Sequence, residues 1–434
     1  MKFTDYDISS EIKTNLTNLG FVRPTDIQYK AIPSIMNEED VLAIAQTGTG
    51  KTAAFAIPVI DRIHKYKKNK RVAGIQCVIM VPTRELAQQI GQVFNKLCKH
   101  TKAKALSIYG GVEQDSQIER LVKGIDILIA TPGRMFDLIS QDYISVEHVR
   151  TLILDEADRM LDLGFIRDIK SIKFKLKRRH QTLFFSATIN DEIKKLAYSQ
   201  VRSNAIRIQI SPDNPVSKNV FHYVMFVEMD DKRFFLERFI LENPESKILV
   251  FVRTKVRAER VAKAMARVNI DTLTIHGDKE QTDRIDAMKD FKEGISNILI
   301  ATDVSARGID IPNVNYVINY DLPDISENYV HRVGRTGRAF NKGIAITFCS
   351  KEENEKLEEI QGFLNKKIEV IKITKNDYYF TLNPAEADYS LDSLIDEKEV
   401  FTKKKKEKAK VKSKSKTKAK AKSKAKKKPK KKKK

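Results

Sequence analysis

Short apolar runs alternate with segments of helical periodicity along most of this chain. In the first half we predict strands at the following positions: 41–45, 75–81, 105–109, 126–130, 151–154 and 182–186. Helical stretches lie between most of these strands. Such alternation is typical of a parallel sheet covered by helices on both faces. Because ligands of these sheets bind beyond the carboxyl ends of the strands, we expect the functional residues there.

A second set of elements repeats this rhythm. We predict strands at 220–227, 247–252, 272–275, 297–301, 314–319 and 343–348. The predicted helices lie between them, at 231–242, 254–267, 279–293 and 325–333. Residues 211–217 hold two prolines and several turn formers, which indicates a linker. The pattern therefore predicts two tandem α/β domains, at 1–210 and 218–375, each a mostly parallel sheet with helices on both faces.

The ends of the chain have a different character. Helical spacing predicts a helix at 8–19 and a closing helix at 351–365. Residues 376–402 are acidic, contain Pro384 and predict an irregular linker. Residues 403–434 are mostly lysine, and we expect them to be disordered because like charges repel one another.

Charge and cysteine content narrow the class of protein. The chain of 434 residues carries a net charge of +23, but residues 401–434 hold 21 Lys and one Glu, so the remainder carries only +3. A polycationic tail binds phosphate polymers without sequence preference, and we expect it to hold RNA near the folded part. The alternative is a tail that only aids solubility.

The cysteines Cys77, Cys98 and Cys349 are odd in number and far apart. This spacing indicates neither a disulfide framework nor a zinc site and suits a cytoplasmic protein. We find no signal peptide and no apolar run of the roughly 18 residues that a membrane span needs.

The segment Ala45-Gln46-Thr47-Gly48-Thr49-Gly50-Lys51-Thr52 fits a phosphate loop if its first glycine position accepts alanine. An apolar strand precedes it and a helix follows. We expect Lys51 to reach the β- and γ-phosphates of a nucleotide and Thr52 to hold Mg²⁺. The alternative is a strand-to-helix turn that binds nothing.

Two further motifs point to phosphoryl chemistry. A predicted apolar strand ends at Asp155 and Glu156, which suit Mg²⁺ binding and activation of a water molecule, respectively. The alternative is a solvated acidic turn. The run from His331 to Arg338 holds three arginines and two glycines, which indicates either an arginine-finger site or a solvated basic patch. The amide of Gln28 could read adenine or lie at the surface.

These three motifs, in this order, resemble the DEAD-box ATP-dependent RNA helicases, and the resemblance covers about residues 3–370. Within that family the compact chain with a short basic tail looks most like the bacterial RhlE-like group. The resemblance implies two RecA-like domains that close on ATP, Mg²⁺ and RNA. Asp26 departs from the family, which often has proline there, and Ser305 stands where alanine is common.

The resemblance also assigns residues by role. It implies nucleotide contacts at Phe3, Phe21, Thr25, Gln28, Gln46, Thr47, Gly48, Thr49, Gly50, Lys51, Thr52, Asp155, Gly308 and Asp310. It implies catalytic roles for Lys51, Glu156, His331, Arg335 and Arg338, and metal binding by Thr52 and Asp155. It implies contacts to the RNA backbone from Arg84, Gly110, Gly111, Thr131, Arg134, Gly277 and Thr302. It implies coupling of hydrolysis to unwinding through Ser186, Thr188 and Asp303.

The expected function is RNA-stimulated ATP hydrolysis that unwinds short RNA duplexes and remodels RNA or RNA–protein complexes. Arginine, threonine and glycine contacts to phosphates carry no sequence choice, and the 2′-hydroxyl would distinguish RNA from DNA. Two alternatives stay open at this point: a DNA helicase or translocase, and an RNA clamp or annealing chaperone that acts through the tail. We expect a monomer, with ribosomal or RNA-decay proteins as candidate partners.

Overall fold

The computed structural model describes residues 1–45, 48–70, 73–210, 216, 219–306, 314–337 and 342–383. Two seven-stranded sheets dominate this part of the chain. All strand pairs within the described residues are parallel. The carboxyl ends of all strands in one sheet therefore meet at one edge.

The first sheet has the strand order β3-β4-β2-β5-β6-β1-β7. Its strands are β1 Val41–Ala45, β2 Cys77–Met80, β3 Ala105–Ile108, β4 Ile127–Ala130, β5 Thr151–Leu154, β6 Gln181–Ser186 and β7 Ile206–Ile210. Its helices are α1 Ser10–Asn18, α2 Asp26–Met36, α3 Lys51–Asn69, α4 Arg84–Leu97, α5 Asp115–Val122, α6 Pro132–Ser140, α7 Ala157–Asp162, α8 Ile166–Lys175 and α9 Asp191–Gln200. A short 3₁₀ turn, Phe3–Asp5, precedes them.

The second sheet has the equivalent order β10-β11-β9-β12-β13-β8-β14. Its strands are β8 Val220–Phe226, β9 Ile248–Val252, β10 Leu273–Ile275, β11 Ile298–Thr302, β12 Tyr316–Asn319, β13 Gly343–Cys349 and β14 Glu369–Val370. Its helices are α10 Lys232–Glu242, α11 Lys255–Ala266, α12 Gln281–Glu293, α13 Asp303–Ala306, α14 Ser326–Val333, α15 Asn354–Leu364 and α16 Lys375–Leu382.

Each sheet is buried on both faces. In the first domain one apolar cluster joins the sheet to α1–α4, with Phe55 and Phe94 fully buried in it. A second cluster lies on the opposite face and includes Met135 and Met160. The second domain has the same two-sided arrangement. Burial on both faces explains why the strand sequences are continuous apolar runs rather than alternating ones.

The predicted strands are confirmed in both domains, with boundaries that differ by at most two residues. Two strands are additional. The strand β7 pairs with β1, and β14 is a two-residue strand at the far edge of the second sheet. The predicted linker at 211–217 lies outside the described residues except for Val216, which is buried.

The prediction of an irregular segment at 376–402 is wrong in its first part, because Lys375–Leu382 forms helix α16. The side chains of Thr374 and Asp377 form a capping box at its start. Arg238 of α10 donates a hydrogen bond of 2.8 Å to Thr381. A cap and a docking contact therefore order a segment whose composition favours a linker. The predicted disordered tail at 403–434 lies outside the described residues.

Within the described ranges, none of the helices has the length and the apolar character needed to cross a lipid bilayer.

The second domain depends on a buried ion pair between Lys232 and Glu353. The Lys232 ammonium is fully buried and donates to the Glu353 carboxylate and to the carbonyl of Tyr320. Arg253 donates to the same carboxylate at 3.0 Å. Burial lowers the pKa of Lys232, which the carboxylate opposes.

We predict that Glu353→Gln destabilises the second domain by roughly 3–5 kcal/mol, because it leaves a buried ammonium without its counter-charge. Hydrogen-exchange protection of the β12 and β13 amides measures this effect. The control is Glu355→Gln at an exposed site on α15, where we expect a change within about 0.5 kcal/mol. Equal protection in the two variants would contradict the role of the pair.

Candidate active site and RNA interface

The phosphate loop leads from β1 into α3, so it opens at the carboxyl edge of the first sheet. Lys51 is the first residue of α3 and is 7% exposed. Its Nζ has no hydrogen-bond partner among the described residues. A buried ammonium in this position is costly unless an anion binds beside it, and a helix N-terminus favours an anion. The predicted contacts Gln46 and Thr47 lie outside the described residues.

Gly50 is the N-cap of α3 and has φ of 95°. A Cβ atom added there would lie 2.5 Å from Nε2 of Gln28 and 3.1 Å from the hydroxyl oxygen of Thr25. Both the positive φ and this close approach require glycine. Thr25 and Gln28, predicted for adenine recognition, are thus packed directly against the phosphate loop.

The amide of Gln28 is buried and already engaged. Its Nε2 donates to the carbonyl of Gly50 at 3.0 Å, and its Oε1 accepts from the amide N–H of Thr25 at 3.0 Å. An amide has two donor hydrogens and two acceptor lone pairs, so one of each remains for a base. Nearby, the rings of Phe3 and Phe21 meet edge-on at 6.1 Å.

Asp155 and Glu156 follow β5, within two strands of the phosphate loop. Asp155 is 3% exposed, and burial raises its pKa to about 6, although the charge of Lys51 opposes the shift. Glu156 is buried and has φ of 51° and ψ of 50°. This left-handed conformation is costly for a residue with a side chain, and such strain is concentrated at functional sites.

The donor set at this edge suits a hard divalent cation. Thr52 offers a hydroxyl and Asp155 a carboxylate, and both are the oxygen ligands that Mg²⁺ prefers. No group of three or more His, Cys, Asp or Glu that could hold a metal occurs in the described part of the chain.

Asp158 connects the ends of β5 and β6. Its Oδ2 accepts from the N–H groups of Ala187 and Thr188, at 3.1 and 3.0 Å, and from the Thr188 hydroxyl at 3.1 Å. The Ser186 hydroxyl donates to the carbonyl of Thr188. The sequence indicated Ser186 and Thr188 as coupling residues but gave Asp158 no role beyond its motif. A movement of Asp158 would therefore be transmitted to the loop after β6.

In the second domain Arg332 ties Asp303 to helix α14. Arg332 is 1% exposed, and its Nε and Nη2 donate to the two oxygens of Asp303 at 2.6 and 2.7 Å. Its Nη1 donates to the carbonyl of Asp321. Sequence reasoning did not single out Arg332. The Arg332 side chain therefore binds groups of the second domain itself. Arg335 lies one turn further along the chain.

The finger motif is partly described. Arg335 is buried, and its Nε donates to the carbonyl of His331 at 3.1 Å. His331 is half-buried at the end of α14. The predicted residues Arg338, Gly308 and Asp310 lie outside the described residues.

The predicted RNA contacts of the first domain follow three neighbouring strands, β3, β4 and β2. Gly111 has φ of 75°, and a Cβ there would lie 1.8 Å from Nη1 of Arg84. Arg134 donates to the carbonyl of Val112 at 2.8 Å, and Thr131 is the N-cap of α6. The fold thus brings these residues together, with Gly110 beside them.

The second domain contributes fewer close contacts. Thr302 ends β11 and is buried, and Gly277 follows the adjacent strand β10. Gly277 is exposed, and no atom lies within 4 Å of a Cβ built on it. The structure therefore places both residues at one edge but joins neither to the other predicted contacts.

Polar contacts connect the starts of α4 and α12, in different domains. Nη1 of Arg84 donates to Oε1 of Gln281 at 3.3 Å, and Arg284 forms an ion pair with Glu85. Sequence reasoning missed Gln281 and Arg284. Their spacing of three residues places both on one helical face, a signal too common to stand out alone. The predicted RNA surface of the first domain is therefore continuous with the second domain.

The chain matches the family model "DEAD/DEAH box helicase" over residues 25–196 and the model "Helicase conserved C-terminal domain" over residues 231–340. The DEAD-box ATP-dependent RNA helicase RhpA of Helicobacter pylori is 37% identical over 92% of this chain and 80% of its own length. This chain belongs to the DEAD-box ATP-dependent RNA helicases. The helicase CshA of Bacillus subtilis is 39% identical over 85% of this chain and 74% of its own length.

Solved structures match this DEAD-box chain across both domains. Dbp5 of Saccharomyces cerevisiae, bound to RNA and ADP-BeF3, has a TM-score of 0.79 at 30% identity and covers 89% of this chain and 98% of its own. The DEAD-box helicase Mss116, bound to single-stranded RNA and UDP-BeF, has the same TM-score at 28% identity and covers 89% of this chain and 82% of its own.

A Dbp5 variant bound to Nup159, Gle1, IP6 and ADP has a TM-score of 0.60 at 29% identity, covering 87% of this chain and 98% of its own. Two Dbp5 structures of nearly equal identity thus differ in their agreement with this chain. The tandem RecA-like fold is common to them. The overall agreement is higher with Dbp5 bound to RNA and a nucleotide analogue.

We predict that Gly111→Ala weakens RNA binding by at least about tenfold. A methyl group at positive φ is strained and displaces the Arg84 guanidinium, and such changes typically cost above 1 kcal/mol. Fluorescence anisotropy with single-stranded RNA measures the effect. The control is Gly362→Ala in α15, where no atom lies within 4 Å of the added Cβ. Unchanged RNA affinity in Gly111→Ala would remove Gly111 and Arg84 from the RNA interface.

Proposed function

We propose that this DEAD-box helicase hydrolyses ATP in response to RNA, and that the closure of its two domains opens short RNA duplexes and remodels RNA–protein complexes. The buried Lys51 ammonium, without a hydrogen-bond partner at the start of α3, carries the nucleotide part of this proposal. The strand order supports the rest. Candidate nucleotide residues follow β1 and β5, candidate coupling residues lie at the end of β6, and candidate RNA residues follow β3, β4 and β2.

The chemistry follows from the positions of the side chains. Lys51 would bind the β- and γ-phosphates at the N-terminus of α3. Glu156 would orient the attacking water and accept its proton. Arg335 and Arg338 would stabilise the charge on the transferring phosphoryl group, and His331 would act with them. Thr52 and Asp155 would hold Mg²⁺, which neutralises phosphate charge when it is bound.

Coupling between ATP hydrolysis and RNA unwinding would use side chains that connect the ends of strands with neighbouring elements. Asp158 would relay changes beside Glu156 to Ser186 and Thr188. Asp303 would relay changes near the nucleotide to α14 through Arg332. The contacts of Arg84 with Gln281 form only when the domains lie together, so RNA bound there would favour the closed arrangement.

The RNA interface would select RNA by its 2′-hydroxyls and hold it by its backbone, without sequence preference. The RNA-bound solved relatives support this proposal. The lysine-rich segment 403–434 would add nonspecific affinity by counterion release. We keep the domain borders at 210 and 218 as part of the proposal, and the second domain would extend to the end of α16 at Leu382.

Finer assignments belong to the proposal as well. Membership of the RhlE-like subgroup rests on the compact chain with its short basic tail. A cytoplasmic site of action is supported by three free thiols, Cys77, Cys98 and Cys349. A monomer suffices for the proposed mechanism, because one chain supplies both sides of the nucleotide site. Ribosomal or RNA-decay proteins are the partners that we propose.

We predict that single-stranded RNA stimulates steady-state ATP hydrolysis of the full chain strongly and that DNA of the same sequence does not. The variant Arg335→Ala should lower the RNA-stimulated rate by roughly 10³-fold or more, because the phosphoryl charge loses a finger. The control variant is Arg267→Ala, an exposed arginine at the end of α11. Its rate should match that of the parent chain.

Equal stimulation by RNA and DNA would favour a DNA helicase or translocase. Absence of stimulation by either, together with strand annealing that persists in Glu156→Gln, would favour a chaperone acting through the basic tail. A normal rate in Arg335→Ala would remove that residue from the catalytic site while leaving the RNA response intact.

A further inference from the structure

The amino edge of the first sheet, opposite the proposed active site, carries a row of exposed cations. The segments that lead into β3, β4, β5 and β6 from this side each contribute at least one exposed cation. We call this row the basic belt, and it consists of Lys104, Lys123, Arg150, Lys177, Arg178 and Arg179. Because these four strands and β2 are consecutive neighbours in the sheet, the belt runs continuously across it.

The side chains of the belt form no ion pairs within the part of the chain that the structure describes. Asp126, an acid beside the belt, is buried and binds the ammonium of Lys67 at 2.9 Å and the backbone N–H of Lys104 at 2.8 Å. Since the first 400 residues carry a net charge of only +3, the belt is a local excess.

Exposed aromatic rings accompany these cations. The guanidinium of Arg150 lies 5.4 Å from the ring centroid of Tyr66. Tyr143 is exposed near Lys123, and both line a cleft of about 330 Å³ together with Ser145. Phe174, in the last turn of α8, is 90% exposed. Aromatic rings beside cations can stack on unpaired bases. Binding of an acidic peptide does not require such rings.

The dimensions suit a nucleic-acid strand. From β3 to β6 the sheet advances by four strand spacings, or about 19 Å. A nucleic-acid strand that crosses this distance would place several phosphates beside the cations of the belt. The strands β2 to β5 are only four residues long, so the two edges are about 13 Å apart along the strands. One RNA molecule could therefore contact both edges.

We propose that the basic belt is a second RNA-binding surface, which holds a single-stranded segment flanking the segment bound at the carboxyl edge. This inference rests on the proposed function in taking RNA as the substrate. The belt contacts phosphates through its cations and bases through Phe174 and Tyr143. It raises the local concentration of RNA at the catalytic edge and takes no part in ATP hydrolysis.

The test compares two full-length variants with four charges removed. The belt variant carries Lys104→Gln, Lys123→Gln, Arg150→Gln and Arg178→Gln. The matched control carries Lys263→Gln, Arg267→Gln, Lys367→Gln and Lys372→Gln, which are exposed and lie in the second domain. The affinity for single-stranded RNA long enough to reach both edges is measured as a function of KCl concentration, beside RNA-saturated ATP hydrolysis.

In the belt variant we expect the slope of log affinity against log salt to fall by about 2–3, since each lost phosphate contact removes about 0.7. The control should retain the parental slope, and RNA-saturated hydrolysis should be unchanged in both variants. Phe174→Ala should weaken RNA binding by roughly fivefold or more. RNA containing 4-thiouridine should crosslink to peptides that include Phe174 or Tyr143.

Equal slopes in the belt variant and the control, or crosslinks that avoid both peptides, would overturn the proposal. Polyglutamate serves as a second ligand. Loss of polyglutamate binding in the belt variant, with an unchanged RNA slope, would identify the belt as a surface for acidic proteins and would also overturn it. Absence of RNA stimulation in the parental chain would instead refute the proposed function, because RNA binding at the belt is measured separately.

Discussion

Parallel strand pairing is the constraint on which the rest of this molecule depends. Every strand of one sheet ends at the same edge, because crossover helices such as α3 return the chain to the start of the next strand, so residues far apart in sequence meet there. The strand order then sorts them. The phosphate loop and Asp155 lie toward one side of the first sheet, whereas Arg84 and Gly111 lie toward the other. A single rigid element thereby holds a nucleotide site beside an RNA site.

The charges buried at this edge of the first sheet favour the binding of phosphates. Lys51 and Asp155 lie in an environment of low polarity, where burial raises the pKa of the acid and the ammonium has no hydrogen-bond partner in the described residues. Burying the Lys51 ammonium and ionising the buried Asp155 both cost less free energy when a nucleotide and a cation bind beside them. The left-handed backbone of Glu156 adds strain that the surrounding fold must sustain. The second domain neutralises its own buried cations, as the pairs of Arg332 with Asp303 and Lys232 with Glu353 illustrate.

Polar contacts between α4 and α12 join the two domains within the described residues. Arg84 and Glu85 on one side meet Gln281 and Arg284 on the other, and all four lie at helix starts near the predicted RNA path. The ion pair of Glu85 with Arg284 is largely buried, with side chains 11% and 10% exposed, so the loss of hydration offsets much of its attraction. We therefore expect the closed arrangement to need ligands to be strongly favoured. The proposed basic belt differs from these contacts, because it lies entirely on the first domain and does not depend on closure of the two domains.

The sequence by itself determined the tandem α/β architecture, twelve of the strands and the positions of the main motifs. It could do so because continuous apolar runs and glycine-rich turns are local signals. It overlooked β7, whose isoleucines alternate with Arg207 and Gln209, since that strand exists only by pairing with β1. It also took the segment after 376 as irregular, because the cap and the Arg238 contact that order α16 depend on neighbours.

Only the tertiary structure decided that Gln28 binds the Gly50 carbonyl, that Asp158 holds Thr188 and that Arg332 holds Asp303. These partners are separated by 22, 30 and 29 residues, and no local pattern encodes which distant groups a fold brings together.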